Sequence, residues 1–109
     1  MMKATAHLSS SILRLAETAQ RELDERFRSS AALEPTSALN QAGLRNGLGI
    51  VEDFLGHNEF GCAFEHVVYL LVEPGIALTQ SQFKELIAIG EQLALKPSLW
   101  NRVGVVEPT

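Results

Sequence analysis

The side chains best suited to covalent chemistry in this sequence are a cysteine and a histidine four residues apart. Cys62 and His66 would share one side of a helix, because residues at i and i+4 are neighbours on its surface. A cysteine nucleophile also needs a lowered pKa, an orienting residue and a group that stabilises the oxyanion. The sequence supplies no such group, so an inert, partly buried thiol is the preferred interpretation and no enzyme is predicted. Catalysis by this pair stays a third alternative, which full biological activity of Cys62→Ser would exclude.

Metal and phosphate sites are the next candidates. His57, Glu59, Glu65 and His66 lie near one another, but they lack the two-histidine i, i+4 spacing that places both metal ligands on one helix face. The glycine-rich stretch 43–49 is followed by no lysine and preceded by no strand, unlike a phosphate-binding loop. We therefore predict neither a metal nor a cofactor.

Charge distinguishes the middle of the chain. Between Arg45 and Lys84 there is no lysine or arginine, whereas the same stretch contains an acidic run of five residues: Glu52, Asp53, Glu59, Glu65 and Glu73. Acids on the outside of a helical bundle are usually just solvated, and basic residues on the same helix usually balance them. Here that balance is missing, and a surface of one sign attracts oppositely charged partners. The acidic run therefore predicts a binding surface.

Helical periodicity shows which elements position these residues. Apolar residues recur at steps of three and four from Ile12 to Phe27, which predicts a first helix capped by the serines 9–11 and ending near Arg28. We expect residues 1–8 to be flexible. Residues 29–37 contain serines, a threonine and a proline, and are expected to form an inter-helix loop.

A second helix is predicted from about residue 38 to Gly56, and a third from Glu59 to about Glu73. Glycines at 43 and 47 would weaken the second helix unless a neighbouring helix packs closely there. Gly56 is expected in the left-handed position and Asn58 as the cap of the third helix. So short a turn predicts an antiparallel hairpin. The core stripes of the two helices are predicted to be Leu44, Leu48, Val51 and Leu55, with Phe54 beside them, and Phe60, Phe64, Val67 and Leu71.

The fourth helix begins at Thr79, where Gln82 completes a capping-box pattern, and ends before Pro97. A last helical turn would pack Leu99 and Trp100 on the bundle, and only Val103–Val106 could form a strand. The apolar face of the fourth helix is predicted to be Phe83, Leu86, Ile87, Gly90, Leu93 and Ala94. The fold class is therefore all-α: a compact antiparallel bundle of about four helices plus a short C-terminal helical turn, in one domain spanning 1–109.

Net charge, cysteine content and hydropathy limit the classes of function that this chain could have. With 109 residues, a net charge of −4 and a pI of about 5.3, the chain lacks the basic balance typical of nucleic-acid binders. A single cysteine allows no intrachain disulfide and favours a reducing, cytoplasmic location. The longest apolar run, 67–72, is far shorter than the roughly 20 residues of a membrane span.

Projection at 100° per residue separates the outward-facing residues from the core stripes. Ile50 is expected to be exposed beside the outward set on the second helix. An aromatic residue surrounded by acidic residues, such as Tyr69 here, is typical of a protein–protein interface. The predicted partner-binding residues, called the candidate surface below, are Asp53, His57, Glu65, His66, Tyr69 and Glu73.

The segment Gly56–Glu65 (GHNEFGCAFE), followed by Leu70–Glu73 (LLVE), resembles the central pattern of MafI-type immunity proteins. Downstream, Leu78–Glu91 and the late Trp100 are similar to the final helix and tryptophan of that family. The resemblance covers roughly residues 44–100. At Cys62 and Phe64 the chain departs from the aliphatic residues that the family pattern leads us to expect.

This resemblance implies a small cytoplasmic antitoxin that binds a cognate secreted polymorphic toxin and inhibits it by stoichiometric occlusion. Such toxins are often nucleases with basic clefts, which an acidic face would suit. The alternative, from another class, is a non-catalytic helical adaptor or homodimerisation module. Neither hypothesis involves binding to nucleic acid or to a membrane.

Overall fold

Four α-helices make up most of what the computed structural model describes, which is residues 2–28 and 46–106. They are α1 (Met2–Phe27), α2 (Gly47–Gly56), α3 (Phe60–Val72) and α4 (Gln80–Gln92), and a 3-10 turn follows at Pro97–Leu99. In these two segments the extended pairing is limited to one isolated parallel bridge, between Leu78 and Val105. The all-α fold class is confirmed.

Helix α1 contacts each of the other three helices, so it forms the centre of the bundle. It begins at Met2 and not at the serines 9–11, which lie inside it; Ser11 is buried. The predicted cap was wrong because residues 2–8 contain no helix-breaking residue, so the helix continues through them. Its end at Phe27 agrees with the prediction, whereas the predicted loop 29–37 lies outside the described residues. Its buried apolar residues keep the predicted spacing: Leu8, Ile12, Leu15, Ala16, Ala19 and Leu23.

Helix α2 begins at Gly47, later than predicted, and residues 38–45 lie outside the described part of the chain. The side chain of Asn46 makes no capping hydrogen bond. Instead, the amide N–H of Leu48 donates to Oε1 of Gln20 on α1, at 3.0 Å. Gln20 is buried, and its own Nε2 donates to Oδ1 of Asp24 at 3.0 Å. A side chain from another helix thus satisfies a first-turn N–H that α2 cannot pair internally.

Helix α2 packs closely on α3 at Gly47. A Cβ there would lie 2.3 Å from Cδ2 of Leu70, which is fully buried. Of the two alternatives for such a glycine, the structure shows close packing of a neighbouring helix at Gly47, whereas position 43 lies outside the described residues. Val51 carries the buried face of α2, while Leu48, Phe54 and Leu55 are partly buried.

The turn between α2 and α3 differs from the prediction. Gly56 is the last helical residue, and the left-handed conformation belongs to Asn58, with φ of 59°. Glu59, and not Asn58, occupies the N-cap of α3, without a side-chain capping bond. Asparagine adopts this conformation more readily than most residues. The carbonyl of Phe54 accepts from the N–H groups of both His57 and Glu59, which closes the turn.

The predicted capping box of α4 is confirmed: Thr79 accepts from the N–H of Gln82, and the Gln82 side chain accepts from the N–H of Thr79. The predicted apolar face was wrong in two places. Ile89 is buried, whereas Ala94 is exposed because it follows the helix end with φ of 58°.

The C-terminal segment covers one end of the core. Trp100 is buried, packs on Gly90 and meets the ring of Phe64 edge-on, with ring centroids 5.8 Å apart. Beyond it, the N–H of Leu78 donates to Gly104 and the N–H of Val106 donates to Leu78, at 2.9 and 2.7 Å. These bonds make the bridge that attaches residues 103–106 to the chain entering α4.

Candidate functional site

The outer face of α3 carries four of the six residues of the candidate surface. Glu65 is exposed, while His66, Tyr69 and Glu73 are half-buried. The rings of His66 and Tyr69 lie in contact, with centroids 5.3 Å apart and planes tilted by 37°. Glu73 forms the C-cap of the helix. This face therefore combines an aromatic pair with a carboxylate on each side along the helix.

The other two residues, Asp53 and His57, lie at the C-terminal end of α2. Their side chains are 76% and 68% exposed, respectively. His57 Nδ1 lies 2.8 Å from the backbone carbonyl oxygen of Asp53 and 3.8 Å from its Oδ1. The i, i+4 spacing that the helix imposes brings this pair together.

The pKa of His57 is raised above its ordinary value. The hydrogen bond from its ring to the Asp53 carbonyl oxygen contributes most, followed by the carboxylate of Asp53, and Glu59 adds a smaller effect. Each of these groups stabilises the protonated imidazolium more than the neutral ring. His57 therefore carries more positive charge near neutral pH than an isolated histidine, which offsets part of the charge of Asp53.

The residues of the candidate surface on α2 and those on α3 are spread along the two helices and do not converge in one cleft. Asp53 and His57 lie next to the turn, whereas Glu73 lies at the far end of α3, roughly 20 Å along the helix axis at 1.5 Å per residue. The structure pairs Asp53 with His57 and His66 with Tyr69. The candidate surface is thus elongated.

The acidic run differs from the acidic residues of α1 and α4 in its ion pairing. The arginines at positions 14, 26 and 28 pair with acids of α1 and α4, at 2.8 Å for Arg14–Glu85, 3.9 Å for Arg26–Glu22 and 2.9 Å for Arg28–Glu25. Within the described segments, Asp53 is the one member of the acidic run in an ion pair, and its partner is His57. Glu52, Glu59 and Glu65 are exposed, so their charges face solvent.

Cys62 is exposed on α3, so the prediction of a partly buried thiol was wrong. It is the third residue of the helix, close to the turn. The ring of His66, which was considered above as a partner for the Cys62 thiol, contacts Tyr69. No group of three or more histidine, cysteine, aspartate or glutamate side chains in the described segments could hold a metal ion.

Sequence reasoning missed two features next to this surface. Ile50 is half-buried and not exposed. An open groove also forms beside the start of α2, with Asp24 and Glu52 among its lining residues. Its sequence signal is Gln20, a polar residue among the mostly apolar buried residues of α1. The complete lining is Gln20, Asp24, Asn46, Leu48, Gly49 and Glu52.

None of the helices in the two described segments combines the length and apolar character needed to cross a bilayer. Comparison with known proteins identifies no relative: no family model, no curated protein and no solved structure matches this chain.

Proposed function

We propose that this chain is a small immunity protein that binds a cognate secreted toxin domain through the acidic surface of α2 and α3, and that it is not an enzyme. The observation that carries the proposal is the acidic run, which is exposed at four of its five residues and has no lysine or arginine partner among the described residues, while three arginines in and just after α1 pair with other acids. The resemblance to MafI-type immunity proteins supports the same function.

The proposed mechanism is stoichiometric occlusion. Carboxylates of Asp53, Glu65 and Glu73 would meet lysine and arginine side chains that the toxin uses to hold its own substrate. A toxin that cleaves nucleic acid would carry such a basic cleft, because it must bind phosphates. Charge complementarity of this kind speeds association and selects the partner, and added salt weakens it.

The ring pair of His66 and Tyr69 would supply the apolar part of the contact. Half-buried aromatic rings are already partly held by the fold, so they lose little conformational entropy when a partner covers them. A guanidinium group of the toxin could stack on such a ring while it pairs with a flanking carboxylate. In this arrangement the carboxylates attract the partner and the rings seal the contact.

Charge reversal on α3 tests the proposal. We expect Glu65→Lys combined with Glu73→Lys to weaken binding to the toxin encoded in the neighbouring reading frame by about 100-fold or more, because each change places like charges together. Isothermal titration calorimetry would give the affinity and the stoichiometry, for which one-to-one is expected.

A matched control is Glu17→Lys with Glu91→Lys, which changes the net charge equally at exposed positions on α1 and α4. This control should bind within a few-fold of the unchanged protein. If both double variants bind as tightly as the unchanged protein, the α3 face is not the contact. Light scattering addresses the adaptor alternative, since a stable homodimer burying α2 and α3 would favour self-assembly instead.

A further inference from the structure

We draw no further inference here: the strongest candidate, the half-buried His66–Tyr69 ring pair between Glu65 and Glu73 on the outer face of α3, belongs to the acidic surface already described, and nothing in the described residues independently shows which ligand would cover it.

Discussion

The contact between Gly90 and Trp100 offers a sharp test of the fold that carries the acidic surface. A Cβ at position 90 would lie 2.3 Å from Cζ3 and 2.7 Å from Cη2 of the indole ring. Carbon atoms in contact normally lie about 3.5–4.0 Å apart, so the ring would have to move by more than about 1 Å. Trp100 is only 5% exposed and meets Phe64 edge-on, which limits that movement.

Gly90→Ala therefore combines two opposing effects on the free energy of unfolding. Replacing a glycine inside a helix with alanine stabilises it by about 1 kcal/mol. Overpacking a core costs about 1–3 kcal/mol, and displacement of a rigid aromatic ring places this change near the upper limit. We expect a net loss of about 2 kcal/mol.

Urea denaturation followed by far-UV circular dichroism measures this change without using Trp100 as the probe. Gly61→Ala on α3 is the matched control, because a Cβ at that position meets nothing within 4 Å. It should stabilise the protein by about 0.5–1 kcal/mol. A Gly90→Ala protein as stable as the unchanged one would refute the packing argument.

A double-mutant cycle assigns the loss to the ring. Trp100→Leu leaves a cavity and is destabilising by itself, but it removes the atoms that the new Cβ would meet. On that background, Gly90→Ala should stabilise the protein by about 1 kcal/mol in place of the loss of about 2 kcal/mol, which gives a coupling of about 3 kcal/mol. An unchanged penalty would mean that the cost does not come from contact with Trp100.

Three further predictions concern single contacts. Gln20→Leu should lower the free energy of unfolding by about 1–3 kcal/mol in urea titrations, because the N–H of Leu48 then loses its acceptor. Thr79→Ala should cost about 1 kcal/mol in the same assay, while Thr79→Ser, which keeps the hydroxyl, should cost clearly less. Asp53→Asn should lower the pKa of His57 in an NMR titration, because the carboxylate is lost, but not abolish the shift, since the carbonyl hydrogen bond remains. Because the folded pKa is raised, the stabilisation from His57 is complete below its ordinary value of 6.5 and is lost as the pH rises through the folded value. An unchanged His57 pKa in Asp53→Asn would contradict this assignment.

Local sequence signals predicted the parts of the fold that local contacts determine. The capping box at Thr79 and Gln82 involves residues three apart, so it could be read directly and is present. The start of α2 could not be predicted in this way, because it depends on Gln20, 28 positions before Leu48 in the sequence. The choice of Asn58 over Gly56 for the left-handed position likewise depends on how the hairpin closes, and both residues are compatible with a turn.

The candidate surface could also be predicted only in part from local sequence patterns. Helical projection correctly predicted the exposure of Asp53, His57 and Glu65, because each lies opposite a buried stripe. The other three residues of the candidate surface were also predicted to face outward, but they are half-buried. Under the proposed function, which of these residues would contact the toxin depends on the shape of the toxin, which this sequence does not encode.

The capping of α2 by Gln20 makes the acidic surface conditional on folding. Helix α2 has 10 residues, and isolated helices shorter than about 12–15 residues are marginal in water. One of its first-turn N–H groups finds its acceptor only when α1 is docked. A synthetic peptide copying the α2–α3 hairpin would therefore be a poor mimic of the protein, since its ends would fray and Asp53 would not be held beside His57. The acidic surface is a property of the assembled bundle, so under the proposed function unfolded or truncated chains would not compete with the intact protein for the toxin.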